Sequence, residues 1–436
     1  MIIRPAKRIA GKLEMPGDKS ISHRAGMIAA LANGTSHIRN FSTSEDCAAT
    51  LRCLERLGVL IARKSGEVVV QGTGISGLSP PKEPLDCGNS GTTMRLLAGI
   101  LAGQDFEASL TGDESLRSRP MQRIIEPLGM MGADVSSNDG RPPLTIRGRS
   151  LLRPIDYELL VASAQVKSAI LLAGLNAFGQ TKVVEQTPTR DHTERALRWF
   201  GVAVEHGDAP KEGSTFASVT GPASLTARDV DVPGDISSAA YFIAAAALLE
   251  GSSLEIVNVG LNPGRVGFLN VVKSSGLNVN FEVLREQGNE PVGVVRVESS
   301  RPAQESTDTP LTIDGDRIAG LIDELPLLAV IGSQLVDGIE IRNAGELRVK
   351  ESDRIAATVA GLRAMGANVE EFDDGLRVGG RTRLRGARID SRGDHRIAMS
   401  FAVAGLLAEG DTEIEHAECV SVSFPEFFEL LESVVE

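Results

Sequence analysis

Residues 16–34 read PGDKSISHRAGMIAALANG, and residues 233–251 read PGDISSAAYFIAAAALLEG. Both stretches open with Pro-Gly-Asp, continue as an Ala-rich apolar run, and close on Gly at the same distance. Pro-Gly favours a turn, and Asp is a strong helix N-cap. In the first copy Ala25, Ile28, Ala29, Leu31 and Ala32 carry helical periodicity, and Asn33-Gly34 predicts its stop. A chain that repeats a turn and a helix in this way must place that element at least twice in its fold.

A second element recurs between and beyond these copies. A helical pattern ends in Gly and gives way to a strand-like segment at Gly58, Gly132, Gly201, Gly276 and Gly366. Further apolar helices are predicted at 91–102, 163–177, 324–335 and 394–407. Together these define about six mixed units of roughly 60 to 70 residues, the last one shortened. That period is too long for a thin solenoid. A chain of 436 residues also exceeds one simple core, so three units per domain is the natural division. The expected fold is α/β with two similar domains. Residues 19–231 form an inserted domain; residues 1–18 plus 232–436 form a discontinuous one. The hinge is expected near 15–18 and 231–234, at the two Pro-Gly-Asp turns, with the N-terminal strand packing against the C-terminal half. A Val-rich strand is predicted at 292–297, followed by a polar loop reaching residue 309.

The net charge of −13 argues against a general nucleic-acid or acidic-membrane surface and makes local basic clusters more telling. The longest nearly unbroken apolar run, 241–249, is far too short to span a bilayer, and the N-terminal residues carry no signal-peptide core. Cys47, Cys53, Cys87 and Cys419 form no C-x-x-C pair, and no H-E-x-x-H occurs. The expectation is a cytoplasmic protein with reduced thiols and no metal.

The basic groups collect at predicted helix starts. Lys19 and Ser20 follow the first Pro-Gly-Asp, where free N–H groups and the helix dipole favour an anion, and Arg24 lies one turn further in. Residues 86–95, DCGNSGTTMR, bring Gly91 to the next helix start, where a ligand can approach the backbone closely. Arg117, Arg119 and Arg123 surround a helix start predicted at Pro120, and Arg suits a bidentate grip on carboxylate or phosphate. Ser163, Ala164 and Gln165 open the third unit, and Arg190 precedes another helix, with His192 reading as a cap or surface residue. Asp323 and Glu324 edge an apolar helix, followed by Lys350, Glu351 and Arg354, and then by Arg396. Alone, each feature also reads as a capped helix, a tight turn, a solvated loop or a surface ion pair. Together they predict an anion site with carboxylates for acid–base work, converging between the two domains.

In this order the motifs PGDKSISHR, GNSGTTMR, RSRPM, SAQVKSA, DELPLLA, KESDRI and DHRIAMSF resemble the 5-enolpyruvylshikimate-3-phosphate synthase (3-phosphoshikimate 1-carboxyvinyltransferase) family of enolpyruvyl transferases, essentially from end to end. The resemblance implies two domains, each an inside-out α/β barrel of three βαβαββ repeats, joined by a two-crossing hinge and closing on substrate. It implies addition of the 5-hydroxyl of shikimate 3-phosphate to phosphoenolpyruvate and loss of phosphate from a tetrahedral intermediate, with no cofactor. By the same resemblance, Lys19, Ser20, Arg24, Ser163, Ala164 (through its backbone), Gln165, Arg190, Asp323 and Lys350 are ligands of shikimate 3-phosphate. Lys19, Gly91, Arg119, Gln165, Arg354 and Arg396 are ligands of phosphoenolpyruvate. Asp323, Glu351 and Lys19 are catalytic, and the division of proton steps between the two carboxylates is open at the level of sequence. Glyphosate is implied as an inhibitor, and a monomer as the working state. Val422 stands where many members have a lysine; Ala164 and Leu96 replace a serine and a proline of one branch. The sister transferase acting on UDP-N-acetylglucosamine would carry a reactive cysteine where 111–120 has none. A non-catalytic anion-binding or RNA-terminus-processing protein would not need both carboxylates beside Lys350 and Arg354.

Overall fold

A parallel strand pair in one sheet needs a long crossover, normally a helix, whereas an antiparallel pair needs only a turn. The apolar helices and Gly-terminated hairpins of this chain supply one of each per unit. The computed structural model describes residues 1–64, 66–299 and 309–436. It divides into a discontinuous unit (Met1–Pro16, Gly234–Arg285 and Pro291–Glu436) and an inserted unit (Gly17–Pro233 with Glu286–Glu290). Both main boundaries fall between the Pro and Gly of a repeated turn.

Among the described residues the inserted unit holds three four-stranded sheets. In the second, Leu85–Asp86 runs parallel to Glu107–Thr111, with helix Gly91–Ala102 as the crossover. Arg141–Arg147 and Asp134–Asn138 then add antiparallel. The third repeats this wiring with Asp156–Glu158, Gly179–Glu185, Thr215–Gly221 and Val204–Asp208 around helix Ala164–Gly174. The first uses Asn33–Arg39, Glu67–Thr73 and Leu60–Lys64, but its parallel edge is Val230–Asp231, from the far end of the unit.

The discontinuous unit follows the same plan. Ala10–Glu14 runs parallel to Ser253–Gly260, which pairs with Glu290–Glu298 and, beyond it, Val279–Gln287. Leu311–Ile313, Ile339–Ile341, Gly375–Val378 and Val369–Phe372 form the next sheet. The last has three strands, Ile2–Ile3, Thr412–Glu415 and Arg388–Asp390, in keeping with a shortened final unit. Residues 300–308 of the expected polar loop lie outside the described residues. The tip Glu286–Glu290 groups with the inserted unit because Arg195 Nη1 donates to Asn289 O at 2.7 Å and Asn289 Nδ2 donates back to Arg195 O at 3.2 Å. The repeat pattern does not announce this short second segment.

Each unit has its own apolar core. Helices that are apolar all round belong inside such a core. Helix Ile236–Leu248 is buried along nearly its whole length, as are Gly91–Ala102, Leu325–Gly332 and His395–Leu407. The amphipathic helices Glu45–Arg56, Gln122–Met130, His192–Trp199 and Gly267–Ser274 cover them with one face and leave the other to water. The Gly after such helices adopts a left-handed conformation, with φ of 90° at Gly58 and 91° at Gly366. Gly17 of the repeated turn has a different reason: a Cβ there would lie 1.7 Å from the carbonyl oxygen of Asn40.

Two sequence expectations need correction. Helix Lys19–Leu31 ends with Ala32 already extended, and Asn33-Gly34 begin strand Asn33–Arg39 instead of closing the helix. Sheet pairing takes the chain over at once, since Asn33 is in register with Thr73 and its N–H donates to Leu225 O. Arg117 and Arg119 do not sit at a helix start. They lie in and at the end of a short helix, Glu114–Ser118, begun by Asp113, whose carboxylate accepts from Leu116 N at 2.7 Å. The following helix starts at Gln122.

Candidate active site

In the inserted unit, three buried helices begin at caps that leave N–H groups available. Asp18 Oδ1 accepts from Ile21 N, Ser90 Oγ from Thr93 N and Ser163 Oγ from Val166 N. Lys19, the first helical residue, places its ammonium 3.0 Å from Asp46 Oδ2, and Ser20 is half-buried beside it. A hydrogen-bonded row crosses between helices. His23 Nδ1 lies 2.7 Å from Thr50 Oγ1, which lies 2.7 Å from Thr93 Oγ1, which donates to Ser90 Oγ at 2.8 Å. Burial holds the His23 imidazole well below its usual range, and Lys19 and Arg24 add to the effect. His23 is therefore neutral at pH 7.

Arg24 is 3% exposed and held on three sides. Its Nε donates to Thr193 Oγ1 at 2.7 Å, Nη2 to Ser168 Oγ at 2.9 Å and Nη1 to Ser20 O at 2.9 Å. Ser168 Oγ in turn donates to Ala164 O at 2.6 Å. Burial brings the guanidinium down to about 10, opposed chiefly by Glu194, with Arg190 among the groups pushing it down. Arg190 is thus close enough to Arg24 for their charges to repel. Gln165, Gly91 and Arg119 meet through Arg95. Its Nη1 donates to Gln165 Oε1 at 2.5 Å, Gln165 Nε2 donates to Thr92 Oγ1 at 2.9 Å, and a Cβ on Gly91 would lie 2.9 Å from Arg95 Nη1 and 3.4 Å from Arg119 Nη1. Arg119 Nη2 donates to Asn89 Oδ1 at 2.7 Å and to Ser115 Oγ at 3.2 Å.

The discontinuous unit gathers Asp323, Lys350, Glu351, Arg354 and Arg396. Arg354, 2% exposed at the first turn of helix Arg354–Ala364, is the centre. Its Nε pairs with Asp394 Oδ2 at 2.8 Å, its Nη2 with Glu351 Oε2 at 2.6 Å, and its Nη1 lies 3.7 Å from Asp323 Oδ1. Burial alone would lower its proton affinity, but Asp394 and Glu351 more than offset this and raise it. Burial lowers the Lys350 ammonium, with Asp323 opposing and Arg354 adding to the shift. Arg396 Nη1 donates to Tyr241 Oη at 3.4 Å, and its buried Nε has no hydrogen-bond partner among the described residues. Asp323 and Glu351 keep 21% and 18% of their side-chain surface. Two carboxylates open to a ligand, beside fixed cations, suit proton transfer on an anionic substrate. Among the described residues no group of three His, Cys, Asp or Glu is placed to hold a metal, and no helix is long and apolar enough to cross a membrane.

Several working residues are missing from the sequence reading. Asp394, Arg95 and Ser168 sit inside the motifs quoted there, and Thr193 just after Arg190, but nothing marks them as partners of Arg354, Gln165 and Arg24. Tyr241 occupies the place of Arg24 in the second Pro-Gly-Asp copy and reads as scaffold, yet it holds Arg396. His192 is not a surface residue. It is 2% exposed, with Nδ1 2.7 Å from Glu290 Oε1. A partner 98 residues away leaves no local signal. Val422, where many family members have a lysine, closes the turn Ala417–Val422.

The model of the family described as EPSP synthase (3-phosphoshikimate 1-carboxyvinyltransferase) matches residues 3–431. A 3-phosphoshikimate 1-carboxyvinyltransferase of Koribacter versatilis is 52% identical over 435 residues, covering 100% of this chain and 99% of that protein. Another from Solibacter usitatus is 49% identical, at the same coverage. A solved structure of EPSP synthase from Acinetobacter baumannii superposes with a TM-score of 0.85 at 41% identity, covering 100% of this chain and 97% of that one. With the repeats, the six sheets and the two charged clusters in place, these matches make the chain a member of the EPSP synthase family.

Proposed function

We propose that the chain transfers the enolpyruvyl group of phosphoenolpyruvate to the 5-hydroxyl of shikimate 3-phosphate, in aromatic amino-acid biosynthesis. The observation that carries this is the cluster of Asp323, Lys350 and Glu351 around the buried Arg354 guanidinium. The reaction adds a hydroxyl to C2 of an enol phosphate, delivers a proton to C3, and expels phosphate from the tetrahedral adduct. It needs cations for a phosphate and a carboxylate, and carboxylates for the proton steps.

Arg354 and Arg396, with Lys19, Gly91, Arg119 and Gln165, take phosphoenolpyruvate. Lys19, Ser20, Arg24, Ser163, Ala164, Gln165, Arg190, Asp323 and Lys350 take shikimate 3-phosphate. Asp323 serves the reacting hydroxyl and Glu351 the methylene carbon, with Lys19 opposing developing charge. Each unit corresponds to an inside-out barrel of three βαβαββ repeats, and the two Pro-Gly-Asp turns serve as a hinge for closure that expels water. The working state is a monomer. Four free thiols, one of them (Cys47) pushed up to about 12 by burial, fit a reducing cytoplasm.

Phosphate release from shikimate 3-phosphate and phosphoenolpyruvate tests the assignment. Turnover only with UDP-N-acetylglucosamine, or with neither acceptor, overturns it.

The reading extends to glyphosate as a competitor of phosphoenolpyruvate. A methyl group at Gly91 meets only the flexible ends of Arg95 and Arg119, so Gly91→Ala should fold normally. It narrows the helix start where the inhibitor is proposed to lie. The inhibition constant for glyphosate is expected to rise more than KM for phosphoenolpyruvate in parallel steady-state assays. Equal rises, or no competitive inhibition of the parent enzyme at millimolar glyphosate, would refute this view of the pocket.

A further inference from the structure

Lys167 lies in the middle of an apolar helix, Ala164–Gly174, and is 1% exposed. A buried ammonium must be paired, and this one is paired twice, 2.7 Å from Glu185 Oε2 and 2.7 Å from Glu194 Oε1. Burial would lower its proton affinity, but Glu194 and Glu185 raise it, so it stays charged. Glu185 ends strand Gly179–Glu185 and is itself 2% exposed. Its second oxygen, Oε1, accepts from Thr189 N at 3.2 Å and from Thr189 Oγ1. Thr189 is the residue before Arg190.

We propose that Glu185 is a positioning residue for Arg190. Its carboxylate clamps the backbone and hydroxyl of Thr189 with one oxygen. With the other it is fixed to Lys167, on the helix that begins with Ser163, Ala164 and Gln165. The loop between Glu185 and helix His192–Trp199 has no sheet or helix ladder of its own to set where Arg190 stands, and the carboxylate supplies that anchor. The network also contains Glu194, the group that most opposes the loss of charge on Arg24. Through Thr189, the proposed contact of Arg190 to the 3-phosphate is in this way referred to a buried ion cluster. A surface salt bridge would not do this; a buried pair with no slack in its geometry does.

The proposal rests on the reading of Arg190 as a ligand of the 3-phosphate, and the test separates the two. Binding of shikimate 3-phosphate and of shikimate, which lacks the phosphate, is measured by calorimetry for the full-length parent, Arg190→Ala, Glu185→Ala, Glu185→Gln and the double variant Arg190→Ala/Glu185→Ala. Glu185→Ala should weaken shikimate 3-phosphate about tenfold or more, the scale of a misplaced binding group, and leave shikimate within about twofold. Glu185→Gln has one oxygen to offer where Thr189 and Lys167 each use one, and should recover only part of the loss. On the Arg190→Ala background, Glu185→Ala should add little, because both remove the same contact.

If Glu185→Ala proves too unstable to purify, Thr189→Ala removes one of the two clamping hydrogen bonds and leaves Glu185, Lys167 and Glu194 all in place. It should shift shikimate 3-phosphate alone, by about threefold. Equal weakening of both ligands by Glu185→Ala, or full additivity in the double variant, overturns the proposal. If Arg190→Ala weakens shikimate 3-phosphate no more than shikimate, the assignment of Arg190 falls and the positioning role falls with it. A selective loss in Arg190→Ala without one in Glu185→Ala removes the positioning role only.

Discussion

Arg354→Met is expected to lower the unfolding free energy by about 3–5 kcal/mol, the cost of leaving a buried charge without its partner. The charge in question is Asp394, whose side chain is fully buried. Without Arg354 it retains the Ser352 hydroxyl at 3.1 Å and the Arg396 backbone N–H at 2.9 Å, neither of them a cation. Urea denaturation at neutral pH measures the effect, and a change below about 1 kcal/mol would show that Asp394 is satisfied without the guanidinium. Turnover should fall as well, by about 10²–10³ in kcat/KM for phosphoenolpyruvate, the scale of losing one fixed charge donor. Arg354→Met/Asp394→Asn separates the two losses. Removing the orphaned charge should restore much of the stability and none of the activity.

Asp323→Ala should do the opposite. Its nearest contact to Arg354 is a long 3.7 Å, and its side chain keeps 21% of its surface. Such a site contributes little to stability, within about 0.5 kcal/mol. The expected loss is in kcat, at least ~100-fold, the usual scale for an acid–base group, with both substrates still bound. Single-turnover measurements with saturating ligands check this. A variant with kcat within tenfold of the parent would move the proton at the hydroxyl to another group.

The two substitutions mark how far the sequence can be read. The repeated helices, the glycines that end them and the basic groups at their starts obey local rules, so they are legible from spacing. Glu351 and Arg354 are close in sequence and meet at one helix start, whereas Asp323 joins them from well upstream. The buried pairs follow no such rule. Lys167 in SAQVKSA reads as one polar residue in an apolar helix, and its carboxylates lie 18 and 27 residues on, in a strand and in another helix. His192 looks like a cap because Glu290 is supplied by a distant hairpin. Asn33-Gly34 looks like a stop because the stop signal and the first residues of a paired strand share the same residue types. In each case the deciding interaction is tertiary, and propensity gives way to it.

The first strand, Ala10–Glu14, finds its parallel partner only at Ser253–Gly260, and Ile2–Ile3 waits for Thr412–Glu415 near the end of the chain. During vectorial synthesis at ~5–20 residues per second, the N-terminal segment therefore emerges, and Gly17–Pro233 of the inserted unit can fold behind it, before either pairing is possible. For that interval, on the order of tens of seconds, it is an open strand edge on the ribosome, the kind of surface that pairs with the wrong neighbour. Ile2–Ile3 is thus among the last segments to be closed, because the strand that pairs with it, Thr412–Glu415, is made only after nearly all of both units.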